Sequence, residues 1–240
     1  AAMEIKDYIL QATENFKFKF NEIQITQLET YYNLLVEWNE KMNLTAITDA
    51  QGVAVKHFAD SVSVLNYVDF PYNSSIIDVG TGAGFPGVVL KIARPDIKLT
   101  LLDSLNKRLV FLQNVLGEIN LSADLIHSRA EDGGRDKNLR ESFDYAVSRA
   151  VANMNVLSEY CLPYVHVGGS FLAFKGRGAE SEISAAKSAI KTLGGKIAET
   201  YNFALPFDGG ERAIVQIQKI AETPNKYPRN AGKIKSSPLK

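Results

Sequence analysis

In "DVGTGAGFPG", residues 78–87, an acid is followed by Gly80, Gly82, Gly84 and Gly87. Glycines so spaced let backbone approach a ligand closely. A loop that opens a helix also turns amides and the helix dipole toward negative charge. Gly82, Gly84 and Gly87 satisfy G-x-G-x-x-G, so a dinucleotide is one reading, from a pattern of low specificity by itself. Asp78 favours another. A carboxylate at that strand end would repel a pyrophosphate and suit an amine-bearing or cationic ligand. S-adenosylmethionine has no phosphate and carries both an amino group and a sulfonium. Asp103 closes the next apolar stretch, 23 residues beyond Gly80. There a carboxylate can accept hydrogen bonds from both ribose hydroxyls. "RAED", 129–132, follows the third such stretch and sets its backbone where an adenine would rest.

Cations follow. Arg149 ends "FDYAVSR", and Lys175 and Arg177 stand at the end of "GGSFLAFK". Ligands of such sheets bind beyond the carboxyl ends of the strands, so these three should converge on one mouth. They could grip phosphates or a guanine O6, or be solvated loop charge. Lys56 and His57, in "KHFADS", are candidates for the same mouth, with a helix-surface role equally open. His57, His127 and His166 are scattered without metal-ligand spacing. Cys161 falls inside a helical pattern, where a buried thiol is the ordinary outcome.

The elements that must position these residues alternate. "SIIDV" is a short strand and 86–94 a helix, with Pro86 suited to its first turn. "IKLTLLD" is the second strand, and 105–119 an amphipathic helix. "ADLIHS", "FDYAVSR" and "GGSFLAFK" are strands three to five, with a helix near 153–162. After a helix at 179–192, "KIAETYNFAL" and "RAIVQIQKI" run as two strands with only a turn between. Alternation predicts an α/β fold, a Rossmann-like seven-stranded and mostly parallel sheet. The closing hairpin inserts one antiparallel strand. Residues 1–70 form an N-terminal helical extension. Thr26 with Glu29 reads as a capping box, and Leu28, Tyr31, Tyr32, Leu35, Trp38 and Met42 share one face. A second helix spans 53–68. The expected division is therefore 1–70, a catalytic-type domain over 71–223, and a tail over 224–240.

Composition sets the bounds. The chain has 240 residues, 27 Lys and Arg against 27 Asp and Glu, and one cysteine. A single cysteine excludes an internal disulfide and fits a reducing cytoplasm. No apolar run nears the roughly 20 residues of a membrane span, so no membrane partner is expected, and "AAM" reads as a remnant preceding a native Met3. Charge is uneven: residues 1–70 hold 5 bases and 10 acids, net −5, while 224–240 hold 5 bases and no acid, net +5. A basic tail on a neutral body suits either an anionic partner or a solvated terminus. Its polarity and three prolines suggest little contribution to the core.

Along nearly its whole length the chain resembles the glucose-inhibited division protein B family. These are bacterial methyltransferases that modify N7 of a guanine in small-subunit ribosomal RNA. "YYNLLVEWNEKMNLTAIT", "KHFADS", "DVGTGAGFPG", "LLDSLNKRLVFL", "RAED", "SRAVAN", "LSEYCLP", "LGG" and "TPNKYPR" carry the likeness. The resemblance implies S-adenosylmethionine as cofactor, held at Gly80 and Phe85, at Ala130 and Glu131, and at Arg149; the residues add Gly82 and Asp103. It implies 16S ribosomal RNA or the 30S subunit as partner of a cytoplasmic, monomeric enzyme. N7 carries a lone pair and no proton, so neither a general base nor a metal is expected. Methylation at a ring carbon would call for a cysteine near the fourth strand, and at an exocyclic amine for an Asn/Asp-Pro-Pro-aromatic loop. "SRAVAN" is neither. Lys175, Arg177 and His57 are the substrate-side candidates. Two other classes stay open: a nicotinamide-dependent oxidoreductase and a non-catalytic nucleoside-binding ribosome assembly factor. So does methylation of a small molecule.

Overall fold

The central strands are buried almost end to end, and their successive residues join cores on opposite faces of the sheet, which sets the layers. The computed structural model describes residues 3–240; Ala1 and Ala2, in the segment read as a remnant, lie outside the described residues. β1 (Ser75–Val79), β2 (Lys98–Asp103), β3 (Asp124–His127), β4 (Phe143–Ser148), β5 (Val165–Lys175), β6 (Gly195–Leu205) and β7 (Gly210–Lys219) form one sheet, ordered β3-β2-β1-β4-β5-β7-β6. β1 pairs in parallel with β2 and β4, and β4 with β5. β7 runs antiparallel to both β5 and β6, which is the single reversed strand the hairpin demands. Ile76, Leu101, Val147 and Leu172 face one way. Ile77, Leu102, Ala146 and Phe171 face the other. α5 (Gly87–Ala93) and α6 (Asn106–Glu118) cover the first face. α8 (Met154–Cys161) and α9 (Ala179–Thr192) cover the second.

The N-terminal helices share the first face's core. α1 (Ile5–Ala12) and α2 (Glu22–Met42) come first. On α2, Leu28, Tyr31 and Leu35 are fully buried, while Tyr32, Trp38 and Met42 pack at the margin. The start of α2 differs from expectation. Asn21 is the N-cap, and its side chain and that of Gln24 bond each other's backbone amides at 2.8 Å. Thr26 lies inside the helix and returns its hydroxyl to the Glu22 carbonyl. Asn accepts the orphan amides as well as Thr does, and it occurs earlier in the chain. The second helix is composite. α3 (Ala50–Gly52), a π-helical stretch (Val53–Ala59), α4 (Asp60–Val62) and a 3-10 turn (Ser63–Asn66) run on continuously. Pro86 sits one residue ahead of α5, as its N-cap.

The tail contributes more packing than its composition suggested. Tyr227 and Ile234 are buried, the latter in α10 (Ala231–Ser236). Arg135 donates to the Pro228 carbonyl at 2.8 Å, and Arg140 to those of Tyr227 and Thr223 at 2.7 and 2.8 Å. Arg229 pairs at 2.8 Å with Glu159 of α8, which is 1% exposed. Guanidinium groups in a protein hold several carbonyls at once, and here they fasten a polar segment to the body.

Candidate functional site

β1 ends on Asp78 and Val79, and the glycine loop turns from there into α5. Asp78 is fully buried. Its Oδ2 accepts from the Thr81 hydroxyl and from the Gly87 amide, each at 2.8 Å. Its Oδ1 has no partner among the described residues. Burial pushes its pKa up to about 7, against the pull of those two bonds. Asp78 is therefore a strut inside the loop and not a wall facing the ligand, as its place at the strand end had suggested. The glycines divide in the same way. Gly80 and Gly82 have φ of +70° and +60°, and a Cβ on either would meet nothing within 4 Å. A Cβ on Gly84 would strike Tyr31 Oη, Leu112 and Val88, and one on Gly87 would lie 2.7 Å from Asp78 Oδ2. The first pair make an open cradle, and the second pair let the loop pack.

A cleft of about 470 Å³ opens beside the cradle, with Gly80, Asp103, Arg108, Ala130, Arg149 and Tyr160 among its walls. The carboxyl ends of β1, β2 and β4 meet there. Asp103 is 2% exposed. Its Oδ2 accepts from the Gly82 amide at 2.8 Å and its Oδ1 from the Leu105 amide at 2.9 Å, with Arg108 at 3.4 Å. Four of the sequence candidates thus meet in one cleft, and Gly82 reaches it through Asp103. Glu131, in the short α7 (Ala130–Gly133), is buried but does not line it. Phe85 does not either. Its ring is 5% exposed and stacks on His57, centroids 4.3 Å apart and 7° from parallel, with Tyr31 at 5.4 Å. Arg108, Leu157 and Tyr160 went unread in the sequence. All three lie in stretches that carry the family likeness, "LLDSLNKRLVFL" and "LSEYCLP", but helical spacing, which any packed helix shows, gave none of them a role.

Arg149 also lines a second cavity, of about 250 Å³, on its other side. Its Nη1 donates to Asp60 Oδ2 at 2.8 Å and to the Lys56 carbonyl at 3.0 Å, and its Nη2 to His57 Nδ1 at 3.1 Å. His57 lies 2.8 Å from Thr45 Oγ1 through Nε2. Since Nδ1 accepts, the ring is the Nε2–H tautomer, and both nitrogens are engaged. Burial, with Arg149 beside it, pulls the His57 pKa down to about 3. Lys56 and Lys175 line this cavity too. Lys175 turns its ammonium to the Ala152 carbonyl and to Glu182 Oε1, 2.7 Å away. Arg177 does not converge with them: its side chain is 86% exposed, 3.6 Å from Glu211, along an adjoining hollow. Strand ends place Lys175 inward and the next loop carries Arg177 out. Cys161 is buried, and desolvation pushes its thiol pKa well up.

An open glycine cradle, a buried carboxylate across from it and a cavity on the far side of one arginine suit a nucleoside ligand and a second, neighbouring ligand. The family model described as "GidB: rRNA small subunit methyltransferase G" matches residues 24–215. A protein of Alkaliphilus oremlandii named "Ribosomal RNA small subunit methyltransferase G" is 50% identical over 239 residues, 99% of this chain and all of that one. One of the same name from Geobacillus thermodenitrificans is 52% identical over 216 residues, 90% of this chain and 91% of that one. Among solved structures, a methyltransferase from Pyrococcus furiosus aligns with TM-score 0.54 at 14% identity, covering 82% of this chain and 99% of that one. M. jannaschii TYW2 in complex with AdoMet aligns with TM-score 0.52 at 13% identity, covering 73% and 80%. These two speak to the fold alone.

Proposed function

The chain belongs to the GidB family, rRNA small subunit methyltransferase G, and from that premise we propose that it methylates N7 of a guanine in 16S ribosomal RNA. S-adenosylmethionine is the cofactor, and when bound it supplies an electrophilic methyl group on a sulfonium. The residues fit it on the cradle's own evidence. Gly80 and Gly82 leave space that any Cβ would fill, and Asp103 presents a buried carboxylate at the end of β2. Asp103 would hold the ribose and Ala130 the edge of the adenine, with Gly80 and Gly82 along the remainder. A ribosomal RNA substrate supports a cytoplasmic location. Among the described residues no helix is long and apolar enough to cross a membrane.

The observation that carries the reading is Arg149, which lines both the cofactor cleft and the second cavity. Donor and acceptor must come into direct contact, and the two cavities adjoin at this residue. The protein's task is to hold the two in line and keep water out. N7 has no proton to lose, so no side chain need remove one. His57 supports this: neither of its nitrogens is free to take a proton. Neither the oxidoreductase nor the non-catalytic reading finds support in the family. Calorimetry tests the reading: S-adenosylmethionine should bind and NADH should not. The reverse result would overturn it.

A further inference from the structure

Asp60 is a buried carboxylate, 5% exposed, placed between two guanidinium groups. Its Oδ2 accepts from Arg149 Nη1 at 2.8 Å, and its Oδ1 faces Arg212 Nε at 3.6 Å. Both arginines line the second cavity, as do His57, Phe174 and Phe203. Without the carboxylate the two cations would repel each other and turn toward water. With it they are fixed, and the trio carries a net charge of +1.

Arg149 is also nearly spent. A guanidinium has five N–H donors. Two on Nη1 go to Asp60 and the Lys56 carbonyl, and one on Nη2 to His57. Its Nε–H and one Nη2–H have no partner among the described residues. Arg149 thus offers a small, fixed pair of donors at the wall between the two sites.

We propose that the second cavity takes the acceptor guanine, and that Asp60 is the residue that sets its specificity by holding Arg149 and Arg212 toward O6. This rests on the guanine-N7 reading above. The Hoogsteen edge of guanine shows two acceptors, N7 and O6, and arginine commonly spans both. An N7 methyltransferase cannot use that mode, because it would cover the nucleophile. Its arginines must reach O6 and leave N7 bare. Donors fixed by a buried carboxylate do this better than a free arginine, which would swing across both atoms. Adenine carries an amino group where guanine has O6, so it would meet the guanidinium donor to donor. Phe174 and Phe203 supply apolar surface for the base, as aromatic walls do in single-stranded RNA sites.

The test uses the full-length enzyme and 16S RNA with the methylated guanine mapped first. That position is then replaced by 2-aminopurine, which keeps N7 but lacks O6, or by inosine, which keeps both and lacks the 2-amino group. The wild type should accept inosine within a few-fold of guanine and lose about 10- to 100-fold on 2-aminopurine. In Asp60→Asn that penalty should shrink to a few-fold, because the guanine rate itself falls. Arg212→Gln, at a side chain 25% exposed, gives a second variant less exposed to misfolding and should shrink the penalty likewise. Binding of cofactor-free enzyme to the guanine and 2-aminopurine RNAs should show the same discrimination and the same loss of it. Equal treatment of the two bases by the wild type, or an undiminished penalty in both variants, overturns the proposal. A methyl group found elsewhere than guanine N7 fails the underlying reading; N7 methylation without O6 discrimination fails this inference alone.

Discussion

At the scale of single residues the glycine loop separates space for a ligand from space for packing. Gly82→Val should abolish S-adenosylmethionine binding and leave a folded chain, because its Cβ position is open and only φ opposes it. That backbone strain costs about 1–2 kcal/mol, too little to unfold most domains. Gly84→Val should instead destabilise the protein, since its side chain collides with Tyr31, Leu112 and Val88. Thermal unfolding and calorimetry on both variants check the contrast, and normal cofactor binding by Gly82→Val would remove the loop from the site. Asp103→Ala should weaken cofactor binding by roughly 1.5–3 kcal/mol, the worth of hydrogen bonds to a charged group. The same substitution frees the Gly82 and Leu105 amides, so Asp103→Asn, which keeps the shape, should lose less. Titration calorimetry showing unchanged affinity in both would strike Asp103 from the site. Asp78 was legible as an acid at a strand end. Which way its carboxylate turned was not, because that depends on Thr81 and Gly87 closing over it.

At the scale of elements, two buried groups hold the loop and the composite helix, and they respond to pH in opposite senses. Asp78 has its pKa raised from 3.8 to about 7. The folded state binds its proton more tightly, so this group's stabilisation is lost as pH rises from about 4 to 7. His57 has its pKa lowered from 6.5 to about 3. There the unfolded state binds the proton more tightly, so stability is gained as pH rises from about 3 to 6.5. Asp78→Asn should therefore make stability climb more steeply between pH 4.5 and 7, and His57→Gln should flatten the climb. Urea midpoints at the two pH values measure both slopes, and a change of the same sign in the two variants would contradict the assignment. The elements themselves were largely readable. Short apolar runs alternating with helical patterns located β1 to β7, and the lone turn between the last two strands located β7's reversal. The cap of α2 was misplaced by five residues, since Thr26 with Glu29 satisfies the same pattern as Asn21 with Gln24. The π-helical stretch left no mark in the sequence, because all but one of its residues are buried whichever helical winding they adopt.

At the scale of the whole molecule the sequence showed which strand ends meet, and so brought Gly80, Asp103, Ala130 and Arg149 together. It did not show that Phe85 and His57 would stack on each other, since that contact joins the glycine loop to a helix about 30 residues earlier. Nor did it show that the tail is fastened. Because Tyr227 and Ile234 are buried and Arg229 holds Glu159, deleting the tail would damage the body, and its charge is better tested in place. Lys226, Lys233, Lys235 and Lys240 replaced together by Gln should make the salt dependence of RNA binding shallower, as fewer counterions are released. An unchanged slope would make those lysines bystanders. The most direct measurement remains methyl transfer itself. The enzyme is incubated with labelled S-adenosylmethionine and either 30S subunits or naked 16S RNA, and the modified base is mapped by mass. The expected result is a single 7-methylguanine in 16S RNA, formed at a rate with no inflection near pH 6.5. Label on an exocyclic amine or a ring carbon, or a rate that climbs tenfold per pH unit through 6.5 and loses that climb in His57→Gln, would contradict it.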